Sequence, residues 1–180
     1  MVKQQKTERP KKSVQREILE WVLTFAIPIV AVLLLHNYVF TFATVSETSM
    51  LETLQDGQWL AVSVLHYRIA EPQRGDIVTC HYPGQGEKLF VKRVVGLPGE
   101  TLQIESGRVY IDGQALDEPY VVYPSEESLS IQLEEDQYFI MGDNRAVSLD
   151  SRSIGPLSRD QLHGYVLGAV FPFDRFRWFA

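Results

Sequence analysis

The sequence predicts a mainly β protein: an antiparallel β domain that follows one apolar N-terminal helix. Residues 18–42 form an almost uninterrupted apolar run, and after Thr53 the chain changes to short apolar or alternating runs separated by Gly and Pro. With 180 residues, of which 45% are hydrophobic, the chain fits one globular domain and a short appendage. We therefore expect a basic tail over 1–17, a membrane-spanning helix over 18–42 and a β domain over 43–180.

The apolar run has the length and the flanks of a transmembrane helix. A helix needs about 20 apolar residues to cross a bilayer, and Trp21 and Tyr38 lie where interfacial aromatic anchors are expected. Pro28 predicts a kink in this helix. The first seventeen residues carry six Lys or Arg against two Glu, a net charge of +4. Because basic residues that flank a transmembrane helix usually stay in the cytoplasm, the N-terminus is expected there and the β domain outside. The basic tail and the helix are expected to contact membrane lipid.

Two other interpretations of the apolar run compete with this one. A cleavable signal peptide is suggested by Thr41-Phe42-Ala43, which places small residues at the positions of a cleavage site. Such peptides have apolar cores of roughly 7–15 residues, which is shorter than this run. A buried core helix fits poorly with a tail that is basic on one side only. The uncleaved anchor is the favoured interpretation.

The β domain is predicted from alternation and turn residues. Ser106-Gly107 has the form of a two-residue hairpin turn, and the polar segment 118–135 predicts an exposed loop. The expected strands cover residues 59–64, 76–82, 89–95, 101–105, 108–112, 137–141 and 165–171.

Charge, cysteine and histidine content exclude several functions. The net charge of −6 leaves −10 for the chain after its basic tail, which argues against nucleic acid as a partner. Cys80 is the only cysteine, so no intramolecular disulfide can form, and its apolar surroundings predict a small core residue. The four histidines share no metal-ligand spacing. No metal and no cofactor are expected.

One serine and one lysine are the candidates for chemistry. Ser49 lies in the first polar stretch after the apolar run, where a turn or capping role would be the ordinary interpretation. Alternation in the strand at 89–95 places Phe90, Lys92 and Val94 on one face. Burial there would lower the pKa of Lys92, and a neutral amine can accept a proton from a serine hydroxyl. The alternative is that Lys92 extends to solvent.

A third polar segment follows the strand at 137–141. If extended, Ser148, Asp150 and Arg152 project to one side, where the two charges can pair and the hydroxyl can reach an amine. Taken alone, this segment is more typical of a salt-bridged loop than of a catalytic one.

Together these segments resemble the successive conserved boxes of bacterial type I signal peptidases, and the resemblance covers nearly the whole chain, anchor included. The residues that carry it are Ser49-Met50 with Thr53-Leu54, Arg74-Gly75-Asp76, Phe90-Val91-Lys92-Arg93-Val94-Val95-Gly96-Leu97-Pro98-Gly99-Glu100, and Met141-Gly142-Asp143-Asn144-Arg145 with Ser148, Asp150, Arg152 and Gly155.

The resemblance implies a serine endopeptidase with a Ser-Lys dyad. Ser49 is then the nucleophile and Lys92 the general base. Ser148 resembles the serine that orients the lysine, and Asp150 and Arg152 resemble the pair that braces this loop.

The resemblance also implies the substrate, which is the signal peptide of an exported precursor cleaved after an Ala-x-Ala-like site. The peptide would bind extended beside residues 45–48 and 89–92. The implied contacts are with Val45, Met50, Phe90 and Val91.

This chain differs from the family pattern next to the serine. Glu52 stands where members commonly carry proline, and Glu47 stands where some use a serine hydroxyl toward the oxyanion, a bond that an ionised carboxylate cannot donate. Two other classes of function therefore compete with the peptidase. One is a weakly active or inactive membrane-tethered domain that binds exported peptides, and the other is a self-cleaving regulator, which would need a DNA-binding N-terminus.

Overall fold

The computed structural model describes residues 13–179, so most of the predicted basic tail lies outside the described residues. The chain divides into two compact units between Asn37 and Tyr38. Nearly all of helix α1 (Val14–Tyr38), which contains Pro28, belongs to the first unit. Within residues 13–179, no helix has both the length and the apolar character needed to cross a membrane.

The helix ends earlier than the sequence predicts. The expected helix of 18–42 stops at Tyr38, and strand β1 (Phe40–Thr44) follows after one residue. The sequence of β1 alternates Phe and Thr, which suits a pleated strand. Its partner is strand β2 (Trp59–Ser63), with Phe42 opposite Ala61. The last residues of the apolar run therefore belong to the β domain.

The β domain contains further short strands and helices in chain order. They are α2 (His66–Ile69), β3 (Ile77–His81), β4 (Leu89–Gly96), β5 (Thr101–Glu105), β6 (Arg108–Ile111), β7 (Gln114–Ala115), β8 (Leu129–Gln132), β9 (Gln137–Met141), α3 (Ser151–Ile154), β10 (Leu157–Ser158), β11 (Leu162–Phe171) and β12 (Arg177–Trp178).

These strands form two antiparallel sheets. The larger has the order β1-β2-β11-β3-β4-β9-β10, with β12 pairing with β11, and the smaller has the order β7-β6-β5-β8. Every strand pair in both sheets is antiparallel. The predicted mainly β, antiparallel fold class is confirmed.

The smaller sheet tests two local predictions. Glu105 pairs with Arg108 across Ser106 and Gly107, whose φ angles of 49° and 76° are those of a two-residue hairpin turn. The hairpin prediction is confirmed. The prediction of a loop throughout 118–135 is wrong at its end, because β8 pairs with β5 there and Ile131 lies opposite Leu102.

The larger sheet carries the residues of the candidate site. On β4, Phe90, Lys92 and Val94 are all buried, as alternation predicts for one face of a strand. Cys80 on β3 is wholly buried among apolar side chains, so its prediction as a small core residue is confirmed. A second apolar cluster contains Met50, Leu54, Leu60 and Val62, and it fixes the segment around Ser49 to β2.

Candidate active site

Ser49 is held in a series of tight turns that follow β1. The backbone N–H of Leu54 donates to the Met50 carbonyl at 2.7 Å, and the side chains of Met50 and Leu54 are buried on either side of the turn. The Ser49 carbonyl accepts a hydrogen bond of 3.0 Å from the backbone N–H of Asn144. Only 7% of Ser49 is exposed. The buried side chains of Met50 and Leu54 and the hydrogen bond from Asn144 together fix the position of the Ser49 hydroxyl.

Lys92 reaches Ser49 from the middle of β4. Its Nζ lies 2.7 Å from the Ser49 Oγ, and the lysine is 0% exposed. This distance is that of a direct hydrogen bond. The alternative in which Lys92 extends to solvent is wrong, because the strand directs the side chain into the domain. The structure therefore brings together the two residues that the sequence singled out.

Burial sets the protonation of Lys92. It lowers the pKa of the amine below its ordinary value, because an ammonium ion loses its hydration in the interior. Cys80, Glu47 and Asp150 act in the opposite direction, and the positive charge of Lys88 adds to the lowering. An amine with a lowered pKa that is bonded to a hydroxyl can exist unprotonated and accept the hydroxyl proton.

The predicted bracing pair is present at Asp150 and Arg152. Asp150 is wholly buried and accepts hydrogen bonds from Arg152 Nε at 2.8 Å and from the backbone N–H of Gly142 at 3.0 Å. The segment is not extended throughout, because α3 begins at Ser151 with Asp150 as its N-cap. Arg152 also donates to the carbonyls of Arg145 and Ser148. The pair thus holds the segment against the end of β9.

Ser148 lies beside the site without the predicted bond to Lys92. Its buried Oγ has no hydrogen-bond partner among the described residues, so the predicted contact is not formed. A Cβ at Gly142 would lie 2.3 Å from the Ser148 Oγ and 2.5 Å from the Ser49 carbonyl oxygen. Gly142 therefore lets the Ser148 segment and the Ser49 turn approach each other closely.

The site also contains residues to which the sequence assigned no role. Asp143 is wholly buried and accepts two hydrogen bonds from Arg93, at 2.8 and 2.6 Å, and one of 2.6 Å from Thr53. The Asn144 side chain donates to the Thr48 carbonyl at 3.2 Å. These bonds tie β4 and the segment after β9 to the Ser49 turn. Arg93 directly follows Lys92, and Asp143 lies in the polar segment after the strand at 137–141. Their charges were the sequence signal that could have identified them as part of the site.

A cleft opens beside the dyad where a peptide was expected. Val45, Met50, Phe90 and Val91, the four predicted contacts, all line it. β9 pairs with β4 only from Arg93 onward, so in the described chain residues 89–92 have a strand on the β3 side alone. The cleft is a small depression with a volume of about 20 Å³. Because a single water molecule needs roughly 10–15 Å³, the depression has room for about one water molecule.

Two glutamates mark the departure from the family pattern. Glu47 lines the cleft and lies near the dyad, with Oε2 4.0 Å from Lys92 Nζ and Oε1 2.7 Å from Lys88 Nζ. Glu52 is exposed and has a φ of 76°. Proline is fixed near −65°, so the backbone of this turn could not accept proline at position 52. Of the two, Glu47 is the one placed to affect the chemistry.

The fold and the site define a class of protein. A serine hydroxyl bonded to a desolvated lysine amine, beside an unpaired strand edge that can accept an extended peptide, is the arrangement of a serine endopeptidase. Within residues 13–179, no group of three or more His, Cys, Asp or Glu could hold a metal ion.

Comparison with known proteins gives the family. The model of the signal peptidase family, peptidase S26, matches residues 18–171, and the chain therefore belongs to that family. Signal peptidase IB of Staphylococcus aureus strain MRSA252 is 30% identical over 91% of this chain and 95% of its own length. Signal peptidase I of Bacillus amyloliquefaciens is 32% identical over 96% of this chain and 98% of its own. A solved signal peptidase I from Enterococcus faecalis V583 is 31% identical and covers 54% of this chain and 97% of that one, with a TM-score of 0.48.

Proposed function

We propose that the protein is a signal peptidase I, which removes N-terminal signal peptides from exported precursors after Ala-x-Ala-like sites. The observation that carries the proposal is the 2.7 Å hydrogen bond between Lys92 Nζ and Ser49 Oγ, made by a lysine that is 0% exposed. Relatives that align with nearly the full chain are named signal peptidases, which supports the same substrate class.

In the first half of the reaction, Ser49 is the nucleophile and Lys92 the general base. The Ser49 Oγ bonds to the scissile carbonyl carbon while its proton passes to the neutral Lys92 amine. The carbonyl oxygen becomes an oxyanion, which the backbone N–H of Ser49 helps to stabilise. Lys92 then returns the proton to the leaving amine, the C–N bond breaks, and the signal peptide stays bound as an ester of Ser49.

In the second half, water replaces the leaving amine. Lys92 accepts a proton from the water as its oxygen attacks the ester carbonyl, and the Ser49 Oγ leaves with a proton from Lys92. Because no step needs a metal or an organic cofactor, the chain's own side chains suffice. Ser148 is proposed to orient the lysine once substrate is bound, and the Asp150–Arg152 pair to brace the segment that carries it.

The cleft supports the preference for small residues. A peptide that adds as a strand to the open edge of residues 89–92 would direct alternate side chains toward Val45, Phe90 and Val91. Before any movement of its walls the depression has a volume of about 20 Å³, so side chains such as Ala need less rearrangement of the site than larger ones. Precursors with Leu at the last position before the cut should therefore be cleaved far more slowly than those with Ala.

Membrane anchoring belongs to the same proposal. The basic flank and the apolar run suggest that α1 anchors the protein with its N-terminus in the cytoplasm and the β domain outside. Added protease should then digest the β domain in intact spheroplasts. Complete protection of that domain would overturn the proposed orientation while leaving the chemistry untouched.

Cleavage of a purified precursor tests the activity. Full-length protein in detergent is incubated with a precursor that carries an Ala-x-Ala site, alongside Ser49→Ala, Lys92→Met and the exposed β8 control Ser130→Ala. The unmodified protein and Ser130→Ala should cleave, and the dyad variants should not. Equal cleavage by all four would contradict the mechanism, and no cleavage by any would contradict the function.

A further inference from the structure

Glu47 lines one wall of the cleft, and Lys88 lies next to Leu89, a residue of the opposite wall. Glu47 belongs to the segment that precedes the nucleophile, and Lys88 immediately precedes β4, the strand that forms the other wall. Their side chains meet at 2.7 Å, between Lys88 Nζ and Glu47 Oε1. Because an extended substrate would run between these two walls, the ion pair crosses the path that the substrate must take.

The pair also occupies the space next to the dyad. The second carboxylate oxygen of Glu47 lies 4.0 Å from Lys92 Nζ, which is itself 2.7 Å from the Ser49 Oγ. A scissile carbonyl has to come within roughly 3–3.5 Å of that hydroxyl. A carboxylate in this place would also repel the negative charge that develops on the substrate. Glu47 therefore lies next to the space that the scissile carbonyl must enter.

Lys88 covers a residue that lines the cleft. Its Nζ lies 4.6 Å from the centre of the Phe90 ring, and the other face of the ring stacks on Tyr82 at 4.0 Å between ring centres. Phe90 is 4% exposed and also belongs to the buried apolar cluster that contains Tyr82. Lys88 therefore lies over a ring that lines the depression of about 20 Å³.

We propose that Glu47 and Lys88 form an ion-pair latch across the peptide cleft, which the substrate opens when it binds. The proposal rests on the proposed function, because the cleft is taken to hold the signal peptide. The latch joins two partly exposed side chains, 38% exposed for Glu47 and 52% for Lys88. Exposed pairs are weak, so the latch opens readily and lowers the affinity for the peptide modestly.

Peptide affinity in a variant cycle tests the latch. All variants are made in full-length Ser49→Ala protein, so that the peptide binds without being cleaved. The dissociation constant of a labelled Ala-x-Ala peptide with no charged side chain near the scissile bond is measured by fluorescence anisotropy. The variants are Glu47→Gln, Lys88→Gln and the double variant. The matched control is Glu71→Gln, which makes the same change in the exposed ion pair with Arg159 outside the cleft.

The latch predicts one pattern of results. Each single variant should bind the peptide about two- to fivefold more tightly, and the double variant should gain no more than either single one. Higher salt should tighten binding to the parent, because it screens the pair, and should have little effect on the latch variants. Glu71→Gln should behave as the parent.

Other results overturn the latch. Unchanged affinity in both single variants, additive gains, or weaker binding by Glu47→Gln would each contradict it, the last because it would make Glu47 a direct substrate contact. Cleavage of the same peptide by the protein with Ser49 intact is measured in parallel. Failure of that cleavage would overturn the proposed function, whereas intact cleavage with unresponsive affinity would overturn the latch alone.

Discussion

The buried carboxylates and the reactive groups of the site differ in how their polar atoms are paired. In the loop after β9, the buried carboxylates are saturated, since Asp143 accepts from Arg93 and Thr53, and Asp150 accepts from Arg152 and the Gly142 backbone. Lys92, on β4, donates to the Ser49 hydroxyl. The Ser148 hydroxyl, which lies in the loop after β9, has no hydrogen-bond partner within residues 13–179.

The difference separates scaffold from reactive groups. A buried charge with every hydrogen bond made stabilises one conformation, whereas the burial of the Lys92 amine favours its neutral form, although Glu47 Oε2 lies 4.0 Å away. The loop after β9 fixes the Ser49 turn through the hydrogen bond from the backbone N–H of Asn144 to the Ser49 carbonyl. The unsaturated amine and hydroxyl are then free to exchange protons with a substrate.

Replacement of the lysine should give the largest effect and separate activity from stability. Lys92→Met should lower the cleavage rate by at least about 10³-fold. It should also raise the melting temperature at neutral pH. The pKa of Lys92 is lowered on folding, so a proton binds this amine more tightly in the unfolded chain and protonation of the lysine favours unfolding.

Lys92→Arg is the matched control for this prediction. The guanidinium cannot lose its proton, so this variant should be inactive and also less stable than the parent. Thermal denaturation of both variants beside the parent checks the pair. A lower melting temperature for Lys92→Met would contradict the account of a desolvated amine.

Removal of the Asp150 charge from the loop after β9 should lower stability, whereas replacement of Lys92 by Met should raise it. Asp150→Asn removes the buried carboxylate that pairs with Arg152 and leaves the exposed Glu127 carboxylate, 2.9 Å from Arg152, so the loss should lie toward the lower end of the range of about 3–5 kcal/mol that breaking a buried pair costs. The free energy of unfolding, measured by denaturant titration, should fall by this amount. Exposed Glu126→Gln in the neighbouring segment is the control and should be neutral. A loss below about 1 kcal/mol for Asp150→Asn would show that this pair does not hold the loop.

The close approach of the loop after β9 and the Ser49 loop can be tested at Gly142. Gly142→Ala places a Cβ 2.5 Å from the Ser49 carbonyl oxygen, a backbone atom that cannot rotate away. Overpacking of this kind should lower the free energy of unfolding by about 1–3 kcal/mol. Because it also displaces the Ser49 turn, the cleavage rate should fall by more than this loss of stability explains. Gly113→Ala is a suitable comparison, because a Cβ there would meet no atom within 4 Å and a positive φ is its only constraint. Normal cleavage by Gly142→Ala would indicate that the loops do not depend on each other.

The smallest expected effect is a shift in the pH dependence of cleavage. Activity should rise with pH as Lys92 loses its proton. Glu47→Gln removes a carboxylate that raises the pKa of Lys92, while Cys80, Asp150 and Lys88 remain around the amine. The rise in kcat/KM should therefore move to lower pH, by roughly 0.2–0.7 pH unit for a partly exposed charge. A shift to higher pH would contradict this arrangement.

Local patterns predicted the fold class and the burial of Lys92, whereas its pairing with Ser49, 43 positions away, was predicted from the resemblance to signal peptidases. Alternation at β4 placed Lys92 on a buried face, and the Ser106-Gly107 turn fixed the hairpin. The end of α1 was wrong, because residues 40–44 are apolar enough for a helix and only their pairing with β2 makes them a strand.

Contacts distant in sequence could not be predicted in the same way. The pair of Glu47 with Lys88 joins residues 41 positions apart, and the bond from Thr53 to Asp143 joins residues 90 apart. Nothing in either local sequence indicates these partners. The sequence likewise did not indicate that α3 begins at Ser151, or that the buried Ser148 hydroxyl has no hydrogen-bond partner among the described residues.

The most direct measurement is the rate at which an acylating inhibitor modifies the protein at different pH values. Mass spectrometry of the intact protein and of its peptides locates the acyl group. The account predicts one acyl group, on Ser49, formed at a rate that rises with pH as Lys92 becomes neutral, and no labelling of Lys92→Met. Acylation of another residue, or labelling of Lys92→Met at the rate of the parent, would contradict the assignment of Ser49 and Lys92 as the catalytic pair.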